Sequence, residues 1–375
     1  MPMNEESIMT RSHRTGILML AAIVAAAAGC ASALGQAPAP VARAGASAAP
    51  VRIVDHAGGE PVAWARFGQC QFGLPIKQDD VTGLSTAVDA NAHEANVQRC
   101  LDKAVAERVN VLVLPELGLA VPAAMRERIV ARLQKAAADR DMVIIAGSYY
   151  DNDRYSRSVV IGRGWIEEGY KVRPSRFEAS PRAGMGMREG KHVLLVRTRY
   201  GRFAVVVCVD LISDEVQYAL RELATRGELD VIVNVNYNPA AWEFLIEANS
   251  FVRRHPVFAS ITNVTAAPEG THCMENGKPH DDGVCFGHTA VFADAHTDAG
   301  EFPNNVQTMA RQLPADFLSG GKPALPFDHL VGDVGAFREG LLVYELNLRL
   351  NREPATANAP DQGYPTIRDV HVVDL

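Results

Sequence analysis

GRFAVVVCVD, residues 201–210, is a run of branched apolar residues that ends on a cysteine and then an acid. A short continuous apolar run that opens on glycine reads as a strand buried on both faces, the kind that lies between packed layers. Cys208 then has two readings. A cysteine after three valines is commonly a small buried hydrophobe. A cysteine at a strand end can also be a nucleophile, because strand ends in open α/β sheets converge on the crevice where ligands bind.

Similar runs surround this one. PVAWARFGQCQF predicts a first strand, VNVLVLPE a buried strand that stops at Pro115 and Glu116, and MVIIAGSYY another. SVVIGRGWIEEGYKV and HVLLVRTRYGRFAVVVC each carry a turn signal between two apolar runs, which predicts two hairpins. DVIVNVN, VFASITNV and TAVFADA complete the strands. Between them, ANVQRCLDKAVAERV puts Val97, Leu101, Ala104 and Val105 on one helical face, and AMRERIVARLQKAAADR does the same with Met125, Ile129, Val130 and Leu133. AAWEFLIEANSFVRR is a third helix. Hairpins among parallel-type units imply one α/β domain built on mixed sheets.

The 375 residues, 47% hydrophobic and 22% charged, suffice for a large core. A net charge of -7 with interspersed signs gives no basic stripe, so nucleic acid is not expected as a partner and a small molecule is.

The N-terminus differs from the rest. Arg11, His13 and Arg14 precede the apolar run TGILMLAAIVAAAAG, which stops at Cys30. At about 15 residues it suits a signal segment better than a membrane span, which needs roughly 20. The junction AAGC resembles a bacterial lipoprotein signal, in which cleavage before the cysteine is coupled to its lipidation; Ala27 stands where leucine is more usual. The resemblance implies residues 1–30 as signal, a lipid-anchored extracytoplasmic protein facing the periplasm or cell exterior, and the membrane as a partner only through that anchor; ordinary secretion is the alternative. Residues 31–50, rich in Ala, Pro and Gly, read as a flexible tether, 51–350 as the folded domain and 351–375 as a tail or an arm packing on a partner.

Three polar residues stand where strands end: Glu116, Lys171 and Cys208. A thiolate is the reactive form of cysteine, and a neighbouring cation or a helix start favours it. Asp210, Asp214 and Glu215 after the cysteine fit such a helix start.

VLVLPELGL, YKVRPSRFE and GRFAVVVCVD resemble, in matching order, the three signature segments of the nitrilase superfamily of carbon–nitrogen hydrolases; the similarity runs from about residue 60 to 350. The resemblance implies a four-layer αββα sandwich of two mixed sheets, a homo-oligomer, and hydrolysis of a non-peptide linear amide or carbamoyl compound with neither cofactor nor metal. It implies Glu116 as general base, Lys171 as oxyanion stabiliser with the Val209 N–H, Cys208 as nucleophile, and Glu178 as the acid that orients the lysine. Cys-Val-Asp is similar to amide-cleaving branches, whereas true nitrilases usually show Trp then Glu after the cysteine. DNDRYSRSVVI and VNYNPAAW depart from the family pattern, with Arg157 where a small residue is expected and Asn236, Tyr237 and Trp242 as candidate pocket residues. Two alternatives use the same residues differently: an N-acyltransferase built on the same acyl-cysteine, or a binding lipoprotein that has kept the fold.

Setting Cys30 and Cys208 aside, Cys70, Cys100, Cys273 and Cys285 allow three disulfide connectivities. THCMENGKPHDDGVCFGH is dense in Cys and His, but its spacing fits no closed zinc site; a Cys273–Cys285 disulfide or a plain polar loop are the other readings.

Overall fold

Gly201–Val207 is the third strand of a seven-stranded mixed sheet, antiparallel to the strand before it and parallel to the strand after it. The computed structural model describes residues 48–79, 82–179, 185–238, 241–265, 286–293, 327, 329–348 and 366–375, with the short strands at 274–275, 278–279, 318–319 and 322–323. The segment expected as a signal, Cys30, most of the expected tether, Cys273 and Cys285 lie outside the described residues.

In chain order the first strands are β1 (Val51–His56), β2 (Trp64–Gln71), β3 (Ile76–Gln78), β4 (Ser85–Ala87), β5 (Val111–Val113), β6 (Val143–Tyr150), β7 (Ser156–Gly162) and β8 (Trp165–Tyr170). Then come β9 (Val193–Thr198), β10 (Gly201–Val207), β11 (Val231–Val235), β12 (Phe258–Thr262), β13 (Met274–Glu275), β14 (Lys278–Pro279) and β15 (Ala290–Phe292). The last are β16 (Leu318–Ser319), β17 (Lys322–Pro323), β18 (Leu330–Asp333), β19 (Gly340–Asn347) and β20 (Thr366–Asp374). The helices are α1 (Ala90–Ala106), α2 (Ala123–Arg140), the single turn α3 (Arg176–Ala179), α4 (Asp214–Thr225) and α5 (Ala241–Val252).

One sheet has the order β1-β9-β10-β11-β12-β15-β18 and the other β20-β19-β2-β5-β6-β7-β8. Each contains a parallel trio, β10-β11-β12 in one and β2-β5-β6 in the other. The sheets meet face to face. Phe67 of β2 sits edge-on to Phe203 of β10 at 5.7 Å and stacks on Tyr344 of β19 at 5.6 Å. Gln69 crosses the same interface, donating to the Ile261 carbonyl at 2.9 Å and the Thr262 hydroxyl at 3.0 Å. Fully burying each such aromatic stabilises by roughly 1.5–3 kcal/mol. Val216, Leu220, Phe244 and Phe251 from α4 and α5 join this core. On the far side Val97, Leu101, Ile129 and Leu133 from α1 and α2 cover the second sheet. The layers are therefore helix, sheet, sheet, helix, the αββα sandwich expected.

Several expectations shift. The domain begins with a strand before PVAWARFGQCQF, because β1 pairs in parallel with β9. Met125, Val130 and Val105 are only partly buried, while Ala137 and Cys100 complete the inner faces of their helices. Asp210 does not begin the helix after the cysteine: Cys208–Ile212 is a separate 3₁₀ turn, and Asp214 and Glu215 occupy the first turn of α4. Within residues 351–375, expected as a tail or an arm, Thr366–Asp374 is a strand that pairs antiparallel with β19 at the edge of that sheet. Alternating residues in TIRDVHVVD make such pairing possible, and Ile367 is buried by it.

Candidate active site

The carboxyl ends of the two parallel trios lie at the same end of the sandwich, and the polar residues follow those ends. Cys208 follows β10, Asn236 and Asn238 follow β11, Asn263 follows β12, and Glu116 comes three residues after β5. Lys171 directly follows β8, which the β6-β7-β8 meander returns to that end.

Glu116 is set by a fitted turn. Leu117 adopts φ +62, its N–H donates to the Ser148 hydroxyl at 3.1 Å, and His93 Nε2 meets the Gly118 carbonyl at 2.8 Å. The neighbouring β6 bulges between Ile145 and Ser148, and Gly147 there has φ +74. A Cβ on Gly147 would stand 2.0 Å from the Pro115 carbonyl oxygen, so only glycine lets the two backbones come this close. The Glu116 carboxylate then accepts the Lys171 ammonium at 2.9 Å through Oε1 and the Tyr237 N–H at 2.8 Å through Oε2.

Lys171 lies between two carboxylates, 2.9 Å from Glu116 and 2.7 Å from Glu178. Glu178 is held in turn by the Ser175 N–H at 2.6 Å and the Tyr150 hydroxyl at 2.9 Å. Cys208 has φ +50, a left-handed conformation that costs a residue with a side chain roughly 1–3 kcal/mol and turns the chain sharply out of β10. Asn234 secures that turn by donating to the Cys208 carbonyl at 3.2 Å, and Asn236 donates to Asn234 Oδ1 at 2.7 Å. Asp210 turns inward and accepts the N–H groups of Val172 at 2.9 Å, Arg173 at 2.7 Å and Val207 at 3.3 Å. Glu116, Lys171, Glu178 and Cys208 are each only 2–3% exposed.

Low exposure makes these charges depend on one another. Burial raises the Glu116 carboxyl above its ordinary range, and Glu178 adds to this against the pull of Lys171. Burial also works against Glu178, but the Lys171 ammonium and the Ser175 N–H outweigh it and hold that carboxyl low. Burial opposes the charge of Lys171 too, yet Cys208, Glu116 and Glu178 overcome it and keep the ammonium well above its usual range. The Cys208 thiol is pushed far up by burial and by Glu116. Two carboxyls beside one lysine thus diverge, Glu178 held low and Glu116 raised, the kind of split that separates a fixed counter-charge from a proton carrier. Burial likewise lifts Asp210 to about 7 against its three N–H donors.

The residues expected from the sequence separate into three groups. Glu116, Lys171, Glu178 and Cys208 come together, and Val209 follows in the first turn after the sulfur, where N–H groups lack intrahelical acceptors. Tyr237 belongs to the site through its backbone, and its ring packs edge-on against Phe286 at 5.2 Å. Asn236 is buried and turned to Asn234, Trp242 is half-buried near the start of α5, and Arg157 is bound to Asp151 and Glu168. Asn238, Asn263 and Tyr150 were not anticipated. Alternation through Asn234, Asn236 and Asn238 was the available signal for the first of them. Arrangement and charge together suit acyl transfer to a thiol: an acceptor for its proton, a fixed cation beside it, and backbone donors in the turn that follows.

Residues 72–311 match the family model described as carbon-nitrogen hydrolase. Among solved structures the chain is similar to a double mutant of the amidase from Nesterenkonia sp. AN1 in complex with acrylamide, with 14% identity over 75% of this chain and 90% of that chain and a TM-score of 0.50. A second mutant, of Nesterenkonia AN1 amidase from the nitrilase superfamily, gives 15% identity, coverage of 76% and 92%, and a TM-score of 0.50. At such identity these likenesses speak for the fold. A search of curated proteins gives no match.

Proposed function

Since the chain belongs to the carbon–nitrogen hydrolase family, we propose that it hydrolyses a small, non-peptide linear amide through a thioester on Cys208. The observation that carries this reading is the Lys171 ammonium fixed between Glu116 and Glu178 in the buried site that contains Cys208. Glu116 accepts the thiol proton as Sγ attacks the amide carbonyl carbon, and the negative charge on the carbonyl oxygen is met by Lys171 and the Val209 N–H. Glu116 then gives the proton to the departing amine as the carbon–nitrogen bond breaks. Water, deprotonated by the same carboxylate, cleaves the thioester, and its proton returns to the thiol. Glu178 keeps Lys171 charged and in place throughout. The acid two positions after the cysteine supports an amide over a nitrile, and the low exposure of the site supports a small substrate.

Ammonia release from short aliphatic amides, nitriles and N-carbamoyl amino acids, compared between the native chain and Cys208→Ala, tests this. Release from amides that vanishes in the variant is the expected result. Silence across the panel, or release that survives the substitution, overturns the reading.

We also propose that Cys30 carries the lipid anchor that holds the domain outside the cytoplasm. The lipoprotein-like junction supports this, as does a Cys70–Cys100 disulfide, which suits an oxidising compartment. Incorporation of labelled fatty acid that is lost in Cys30→Ala is the test.

A further inference from the structure

The proposed mechanism leaves one contact to the sulfur unassigned. Asn238, on the segment leaving β11, places its side-chain Nδ2 3.6 Å from Cys208 Sγ, within hydrogen-bond reach of sulfur. Its backbone is gripped on both sides by one residue: the Asn238 N–H donates to Asn263 Oδ1 at 3.1 Å, and the Asn238 carbonyl accepts from Asn263 Nδ2 at 2.9 Å. Asn263 is buried and anchored itself, its N–H donating to the Thr289 hydroxyl at 3.0 Å and its Nδ2 to the Gly287 carbonyl at 3.0 Å. The residue before Asn238 supplies the N–H that holds Glu116. Adjacent residues of one segment therefore hold the proton acceptor and the nucleophile.

Chemistry gives the contact a purpose. When the thiol proton moves to Glu116, a negative sulfur is left in a buried site that already contains Glu178. Once a substrate oxygen is bound, Lys171 must serve that oxygen, and the sulfur needs a donor of its own. A hydrogen bond to an ionised acceptor is shorter and stronger than one to a neutral group. It also fixes the side-chain rotamer from which Sγ attacks.

We infer that Asn238 is a further catalytic residue of the proposed hydrolysis, donating from Nδ2 to the Cys208 sulfur so that the thiolate forms and stays aimed at the acyl carbon, with Asn263 as its positioning residue. This rests on the reading of Cys208 as nucleophile. Asn238 forms no covalent bond, and the thiol proton goes to Glu116.

The test needs no substrate. Alkylation of Cys208 by iodoacetamide, followed by peptide mass across a pH series, is compared among the native full chain, Asn238→Ala, Asn238→Asp and Asn263→Ala, with melting temperature measured on each. The expected result is an alkylation midpoint raised by about one pH unit in Asn238→Ala, which is roughly tenfold slower reaction below it. The rise should be larger in Asn238→Asp, which keeps the shape but replaces the donor with negative charge, and smaller in Asn263→Ala. Profiles that superpose on the native one overturn the inference, as does a native Cys208 that alkylates at no pH. A midpoint that moves in Asn238→Ala but not in Asn238→Asp also overturns it, because oxygen rather than nitrogen would then face the sulfur. If Asn238→Ala fails to fold, the isosteric Asn238→Asp decides. A native chain that alkylates yet hydrolyses no amide counts against the proposed function alone, and the profiles still judge Asn238.

Discussion

The Asp210 carboxylate accepts the Val172 backbone N–H at 2.9 Å, which ties the turn carrying Cys208 to the residue after Lys171. With the Arg173 N–H at 2.7 Å on its other oxygen, one buried side chain sets the spacing of two strand ends that belong to different sheets. Asp210→Asn can accept at one oxygen only, so it should lower kcat by about ten- to a hundredfold and stability by roughly 1–3 kcal/mol. Amide turnover and urea unfolding check both.

The same residue gives a pH dependence with a definite sign. Burial raises its carboxyl from the ordinary range to about 7 in the folded chain, so between about pH 4 and 7 the folded state binds more protons than the unfolded one. This group's contribution is fully present below about pH 4 and is lost as pH rises through 7. The stability difference between the native chain and Asp210→Asn should therefore move against the native chain over that window, as measured by urea midpoints at a series of pH values.

Lys171→Met removes the cation from between two buried carboxylates. Breaking such a pair costs roughly 3–5 kcal/mol at neutral pH. The loss should shrink as pH falls, because Glu116 and Glu178 then become neutral. Thermal unfolding at neutral and acid pH reads the trend, and hydrolysis should be abolished throughout.

At Gly147 a methyl group would meet the Pro115 carbonyl at 2.0 Å on a backbone with φ +74. Gly147→Ala should cost about 2 kcal/mol or more and displace Glu116, lowering kcat/KM. An alanine at Gly227, which has φ +64 but open space around it, separates backbone strain from the steric clash and should leave kcat/KM unchanged.

Cys70 of β2 and Cys100 of α1 are joined across a separation of 30 residues. Closing a loop of that length in the unfolded chain corresponds to roughly 3–4 kcal/mol. The paired substitution Cys70→Ala with Cys100→Ala should lower the urea midpoint accordingly, and non-reducing peptide mapping should recover the two cysteines as one linked species.

Apolar periodicity made the central strands and long helices legible, because burial on one face or two leaves a direct imprint on residue order, whereas β1, β18 and β19 were not read from it. The site's residue types were legible too: an acid, a lysine and a cysteine each stand where an apolar run stops. What the sequence left open are relationships between residues far apart in the chain. Lys171 meets Glu116 across 55 positions through the strand order of one sheet, and Glu116 meets the Tyr237 N–H across 121 through the packing of the two sheets. Asp210 reads as a helix-start acid by its place in the chain, yet the left-handed turn at Cys208 points it inward to backbone donors on another strand end. Residues 351–375 read as a tail or an arm because an isolated strand declares no partner; for 366–374 the edge of β19 supplied one. Residue types and local order were written in the chain, and partners, distances and shared charge existed only once the layers had closed.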